Sequence, residues 1–516
     1  MYVVEIAEKD PGRLALLLTS DGSRLTFAEF EQETNRVAQL LRREGLVEGD
    51  RIALVMMNNL EMLLVQAAAE RTGLYHVPIN WHLTPAEIAW IIADSGARFV
   101  FTQAARFDSM IEVEPLCPDV EKWIMVDAPA EPGPFVDFAT VLDGLPTAPI
   151  PDERTGRSLP YSSGTTGKPK GIVRTLPGTD PSEPVPIQAV ASHVYRFRDE
   201  MVFLEPAPMY HAAVHSHISA ALRMGGSSII MDRFDGEMFL QLVEEHRVTH
   251  TAVVPTMFSR LLQLPDEVRL KYDVSSLEAV VHGAAPCPPH VKRQMIDWMG
   301  PILFENFGSS EGNGSTFVSS EEWLERPGTV GKPIFGEPVI LDADGNPVPT
   351  GTPGQIWWRG PTDFEYLNDP GKTSETIVDR DGPMSTVGDV GYLDEDGYLY
   401  PTDRVSFTIL RGGVNVYPQE IENALVEHPA IADLAVFGIP DEDLGEVVQA
   451  MVELRPGYEA SPRLEAELIE FCRARIAPFK CPAAVDFVAE LPRLETGKVQ
   501  KKVLRERYVE RSAVEG

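Results

Sequence analysis

Residues Ser162 to Gly171 read SSGTTGKPKG, with small hydroxyl residues, three glycines and two lysines in ten positions. The composition is that of a phosphate loop, yet the spacing is not that of a Walker A loop, which requires G-x-x-x-x-G-K followed by Ser or Thr. Counting back from Lys168, the first glycine position holds Ser162, and Pro169 stands where the hydroxyl belongs. A turn of this kind after a short strand still presents hydroxyls and N–H groups to anionic oxygens, and its lysines add charge without fixed geometry. Taken alone, the stretch reads equally well as a surface loop.

The flanking sequence sets the fold class. Thr26-Phe27-Ala28-Glu29 is a capping-box pattern, and helical apolar spacing follows it through Leu41. Arg51 to Met57 reads as a buried strand, Leu60 to Arg71 as a helix and His76 to Asn80 as a further strand. Thr84-Pro85-Ala86-Glu87 is a second capping box with proline at the first helical position, and ARFVFT closes the unit as a third strand. Strands alternating with helices predict an α/β fold with parallel-rich sheets flanked by helices. Residues 176–186 carry too much proline and polarity for a core element and are expected to be an exposed excursion.

With 516 residues the chain is too long for one hydrophobic core. DVGYLDEDGYLYPTDR has the pattern of a turn-rich hairpin, and the sequence after it has its own strand and helix signals. The predicted organisation is a large N-terminal domain over residues 1–403 and a small α+β C-terminal domain over residues 404–516, with a hinge near 404–407. Composition narrows the function. Asp plus Glu number 78 against 45 Lys plus Arg, a formal charge of −33, which repels nucleic acid and acidic membrane surfaces. Any anionic ligand must therefore be held by local cations and backbone dipoles. The four cysteines show no metal-like spacing and read as core thiols. The acidic N-terminal stretch is no signal peptide, and no apolar run approaches the ~20 residues of a membrane span. No integral membrane segment and a cytoplasmic location are the expectations.

Two motifs invite other chemistry. Gly308-Ser309-Ser310-Glu311-Gly312 fits G-x-S-x-G, the nucleophile elbow of α/β-hydrolases, whose triad runs Ser, acid, His. The one histidine after Ser310 is His428, on a helix of the small domain, so the hydrolase reading is weak. His211, His215 and His217 in PMYHAAVHSH suggest a metal, and His211 and His215 would share a helical face. Without H-E-x-x-H or a cysteine partner, packed or hydrogen-bonded imidazoles are the better reading.

SSGTTGKPKG acquires a more specific meaning from its companions. It resembles the signature of the adenylate-forming superfamily, which includes acyl-CoA synthetases, peptide-synthetase adenylation domains and beetle luciferases. In the order of that family follow PMYH, HGAAP, NFGSSEG, STVGDVGYLDEDGYLY, DRVSFTILRGGVNVYPQEIE and PRLETGK, spread over nearly the whole chain. The resemblance implies ATP, Mg2+ and coenzyme A: a carboxylate attacks the α-phosphate of ATP to give an acyl-adenylate and pyrophosphate, and a thiol then displaces AMP.

It also implies roles by position. Ser162, Ser163, Gly164, Thr165, Thr166, Gly167, Lys168 and Lys170 would hold the β- and γ-phosphates. Glu311, with Thr165, would be the Mg2+ ligand, and Ser310 would hydrogen-bond the α-phosphate. Gly283, Ala284 and Ala285 would admit the adenine, Phe307 would cover it, and Asn306, Gly308 and Ser309 would complete that wall. Asp389, helped by Arg404, would take the ribose hydroxyls. Lys498 would be the catalytic cation of adenylation. His211 would gate the thiol channel, and Gly412 and Gly413 would line it after rotation of the small domain about Ser406.

The sequence departs from the family pattern at Ser406 and Phe407, where Asp or Lys and then Asp are usual. It departs again at Leu444, where many relatives place an aromatic. F-G-S-S-E stands where peptide-synthetase domains carry Y-G-P-T-E, and the reading is an acyl-CoA synthetase for a hydrophobic acid, fatty, aryl or cyclic. An acyl-AMP ligase serving a carrier protein and a non-catalytic nucleotide-binding module are the alternatives. The acyl pocket is expected around His211, Val254, Gly283, Ser309 and Gly314, whose small residues suggest room for a chain or ring. Homodimerisation, common in that family, is a further expectation.

Overall fold

The computed structural model describes residues 3–162, 169–184, 186–360, 362–404, 407–411, 414–441, 444–493 and 499–515. Its first layer follows from the run RIALV. Strand Arg51–Val55 is buried at four of five positions, so it cannot alternate apolar and polar residues as a half-exposed strand would. Because successive side chains leave opposite faces, Ile52 and Leu54 enter one hydrophobic cluster while Ala53 and Val55 enter another. Phe99 and Phe101 divide from Val100 in the same way on the neighbouring strand Phe99–Gln103. The six-stranded sheet containing them is parallel throughout.

The helices between these strands begin where the local sequence says they should. Thr26 and Glu29 cap helix Phe27–Arg43 reciprocally, and Thr84 and Glu87 do the same for helix Pro85–Ser95. Helix Leu60–Arg71 starts at the Asn59 cap, whose side chain accepts from the Met62 N–H. Helices Phe27–Arg43 and Leu60–Arg71 bury their apolar residues in the cluster that also holds Leu16, Phe203 and Ile229 of a second, nine-stranded sheet. That sheet is parallel through its centre, and its last three strands, Leu303–Gly308, Ser315–Ser319 and Lys332–Phe335, pair antiparallel with one another.

Two antiparallel sheets complete the larger part. One joins Tyr161–Ser162, Lys170–Arg174 and Phe364–Tyr366. The other, built from Glu337–Leu341 through Leu399–Arg404, contains the expected hairpin, with Asp389–Leu393 paired to Leu399–Arg404 and the Tyr392 and Tyr400 rings stacked at 4.9 Å. Residues 176–184 carry no helix or strand and are mostly exposed, as predicted, although Pro181 is buried.

From Ile409 onward a separate cluster forms around Ile421, Leu434, Val448, Ala450, Val452 and Leu468. Val448, Ala450 and Val452 share one face of strand Gly445–Leu454, and the alternation of that strand's side chains sends them all into this core. The strand pairs with Ile431–Asp441 and Ala484–Val488, and helices Pro418–Leu425 and Pro462–Arg473 cover the core. The final helix, Lys501–Glu515, has no counterpart among the elements expected from the sequence.

One buried acid gives the fold a pH dependence. Glu205 ends strand Val202–Glu205 with no solvent exposure. Its Oε1 accepts from the Ala207 N–H at 2.9 Å, and its Oε2 has no hydrogen-bond partner among the described residues. Burial raises its pKa well above the usual carboxylate range. A group whose folded pKa is raised binds more protons folded than unfolded, so its contribution is full below the unfolded pKa and declines as pH rises through the folded one. Glu205→Gln, which keeps the shape and removes the ionisation, should therefore raise the melting temperature, and by more at pH 8 than at pH 5. A difference that does not change with pH would refute this account.

Candidate active site

The described ends of SSGTTGKPKG lie on two paired strands. Ser162 pairs with Lys170, and Gly171 with Tyr161, across strands Tyr161–Ser162 and Lys170–Arg174. Residues Ser163 to Lys168 lie outside the described residues. Lys170 donates to Asp369 Oδ2 at 2.7 Å and lies 5.7 Å from the centre of the Tyr366 ring. Tyr366 belongs to the strand that pairs along Lys170–Arg174, with Ile172 opposite Tyr366. Its hydroxyl donates to Glu311 Oε1 at 2.8 Å, and both side chains are buried. Arg174, on the same strand as Lys170, donates to the Ser310 carbonyl at 2.6 Å. The base of the loop and the GSSEG turn are thus joined by two hydrogen bonds that the sequence did not disclose.

HGAAP and NFGSSEG meet at the ends of parallel strands. Ala279–Gly283 and Leu303–Gly308 run side by side, with His282 opposite Glu305 and Gly283 opposite Asn306. A Cβ at position 283 would lie 2.5 Å from the Asn306 carbonyl oxygen, so only glycine allows this approach. The next residue, Ala284, has φ of 64°, a left-handed conformation that costs a non-glycine residue about 1–2 kcal/mol. Ligands of open α/β sheets bind beyond the carboxyl ends of the strands, which is where Ala284, Ala285 and Ser309 stand.

Ser309 to Gly312 form the turn between Leu303–Gly308 and the antiparallel strand Ser315–Ser319, closed by the Gly312 N–H to the Ser309 carbonyl at 3.0 Å. A nucleophile elbow needs a strand-to-helix turn, and this strand-to-strand turn excludes it. His428 is held elsewhere, 3.3 Å from a Glu467 carboxylate oxygen and packed on Phe471. Within the turn, Ser309 Oγ donates to Asn313 Oδ1 at 2.9 Å, and the Asn306 amide donates to Ser315 Oγ and the Thr316 carbonyl. Phe307 packs partly buried against the cluster containing Val330 and Trp358.

Asp389 opens its strand half-buried, with Arg404 as its cross-strand neighbour. His211 stands at the N-cap of helix Ala212–Arg223, its ring 4.4 Å from that of Tyr210. Burial lowers its pKa to about 4, so the imidazole is neutral at pH 7. Ser406, Gly412, Gly413 and Lys498 lie outside the described residues.

The small residues of the expected acyl pocket have another explanation. At Gly314 a Cβ would collide with the buried Trp358 ring, so the glycine makes room for an indole rather than for open space. Trp358, on strand Gly354–Arg359, carries no signal in the local sequence. Gly314→Ala should destabilise the fold by about 1–3 kcal/mol in denaturant unfolding, the usual cost of overpacking. Combined with Trp358→Leu, the loss should be clearly less than additive; simple additivity would show that the two side chains do not compete for space.

A family model described as AMP-binding enzyme matches residues 3–365, and another described as AMP-binding enzyme C-terminal domain matches residues 420–498. The chain belongs to the AMP-binding enzyme family, the adenylate-forming ligases. It is 31% identical over 512 residues to the long-chain-fatty-acid–CoA ligase FadD13 of Mycobacterium tuberculosis, covering 97% of each chain. Over 521 residues it is 31% identical to the fatty acid–acyl-carrier-protein ligase ScoC of Streptomyces coeruleorubidus, covering 97% of this chain and 95% of that one. ATP-bound MatB from Rhodopseudomonas palustris shares its fold with a TM-score of 0.82 at 29% identity, over 98% of this chain and 99% of that one. Among the described residues no helix is long and apolar enough to cross a membrane.

Proposed function

We propose that the chain is an acyl-CoA synthetase that activates a hydrophobic carboxylic acid as its acyl-adenylate and passes the acyl group to coenzyme A. The observation that carries this reading is the Tyr366–Glu311 hydrogen bond, which fixes a buried carboxylate beside the base of the phosphate loop. A carboxylate is a poor acyl donor because its leaving group would be oxide. Attack on the α-phosphate of ATP replaces that leaving group with AMP and expels pyrophosphate, so the protein must hold the triphosphate, align the acid and stabilise charge at phosphorus.

In this reading residues 162–168 and Lys170 clamp the departing phosphates. Ser310 hydrogen-bonds the α-phosphate, Asp389 and Arg404 hold the ribose, and the adenine lies between the backbone of residues 283–285 and Phe307. Tyr366 takes Oε1 of Glu311, and the carboxylate suits a hard cation, which prefers carboxylate and phosphate oxygens; bound Mg2+ would neutralise phosphate charge. The neutral His211 leaves the acid's own charge unopposed until Lys498 arrives with the small domain, residues 404–516, swinging about Ser406. After adenylation the domain would rotate and place Gly412 and Gly413 along the thiol's path. The similarity to ScoC favours one second reading, in which a carrier protein takes the place of free coenzyme A.

The reading is tested by carboxylate-dependent ATP–pyrophosphate exchange across fatty, aryl and polycyclic acids, with and without coenzyme A. Silence across the panel from folded protein would overturn it, while exchange without a coenzyme A thioester would favour the carrier-protein alternative. Lys498→Ala should abolish adenylation and spare thioester formation from supplied acyl-adenylate; equal loss of both would contradict the assigned role. Tyr366→Phe removes a hydrogen bond to a charged group, worth about 1.5–3 kcal/mol. It should raise the Mg2+ concentration needed for half-maximal exchange, which a purely structural role would leave unchanged.

A further inference from the structure

The sequence raised a metal reading for His211, His215 and His217 and set it aside for packed or hydrogen-bonded imidazoles; the fold brings His215 neighbours from other elements. His215, one turn into helix Ala212–Arg223, faces Glu70 from helix Leu60–Arg71 and His76 from strand Tyr75–Pro78. His215 Nε2 lies 2.7 Å and His76 Nε2 3.9 Å from Glu70 Oε1, and the two imidazole rings meet edge to face at 4.8 Å. One donor atom from each of the three residues lies within 4.8 Å of the others.

His76 is fully buried, and neither of its ring nitrogens has a hydrogen-bond partner among the described residues. The 3.9 Å to Glu70 is too long for one. A buried imidazole left without a partner carries a desolvation cost that a metal bond would offset. Glu70 and His215 also line a cleft with Thr34, Arg71 and Arg223, so two of the three donors stand at the wall of a cavity. Arg71, a cation on the same wall, is already paired with Glu31 and Glu153, each at 3.0 Å.

We propose that Glu70, His76 and His215 form a binding site for a divalent transition ion of the Zn2+ class, separate from any Mg2+ that accompanies ATP. Two imidazoles and a carboxylate are donors of the borderline kind that Zn2+ and Co2+ take, with a fourth position left for water. An ion at the centre of an equilateral triangle of the largest donor separation would be about 2.8 Å from each donor, so shifts under ~1 Å bring all three to bonding distance. Each ring nitrogen that binds the ion must present its lone pair, so binding is expected to weaken in acid. The ion would tie helix Ala212–Arg223, which begins just after His211, to the six-stranded sheet through His76.

The test is a titration of the full-length protein, freed of metal with EDTA, with Co2+ alone. Four-coordinate Co2+ absorbs strongly in the visible, and one equivalent should produce that spectrum, to be bleached by one equivalent of Zn2+. Glu70→Gln and His215→Gln should each lose it, whereas His217→Gln, two residues further along the helix, should keep it. Bound Zn2+ should also raise the melting temperature of the native protein and not that of the two variants. A native protein with no such spectrum, or one that folded Glu70→Gln or His215→Gln protein retains, would overturn the proposal. Should one variant fail to fold, the native titration and the other variant still decide it.

Discussion

A single hydrogen bond, Tyr366 to Glu311 at 2.8 Å, connects parts of the chain that share no local sequence. Glu311 lies in a turn between strands of the nine-stranded sheet, and Tyr366 lies in a three-stranded sheet whose other strands flank the SSGTTGKPKG stretch. A buried carboxylate must be compensated, and here the compensating donor belongs to the strand that positions Lys170. Removing Tyr366 would take a donor from the buried Glu311 carboxylate and untie the turn from the three-stranded sheet. The Arg174 contact to the Ser310 carbonyl adds a second tie over the same gap.

This arrangement suits a protein with a formal charge of −33. Its bulk field opposes a triphosphate, so attraction has to be local and short in range. Lys170 is held by Asp369 at 2.7 Å rather than left to wander in solvent, and the strand ends at Gly283 and Gly308 carry no side chain. Burial elsewhere has the opposite effect, disfavouring charge: it lowers the His211 pKa to about 4 and pushes that of Glu205 well above the usual carboxylate range.

What the sequence disclosed and what it withheld divide along the distance between partners. Both capping boxes were legible because each partner stands three residues from the other, and helix Leu60–Arg71 was bounded correctly for the same local reasons. The buried strands were legible from continuous apolar runs. Tyr366, Arg174 and Trp358 were not, because each matters through a contact with a residue far along the chain and none stands in an unusual local pattern. His215 was noticed for the wrong company: helical spacing pointed to His211, whereas the topology supplied Glu70 and His76. The glycines at 283 and 314 were singled out for ligand space, and the structure gives each a further reason, close approach by a carbonyl and an indole, which no one-dimensional pattern records.

The meeting of Gly314 and Trp358 separates two demands that the motif runs together. The turn that carries Ser310 and Glu311 has its shape set by strand pairing, while the space beside it is bounded by an indole from a different sheet. Should the acid bind beside Gly314, the size of substrate admitted could diverge through changes at position 358 alone. Catalytic geometry and substrate range would then be heritable independently, each written in its own stretch of chain.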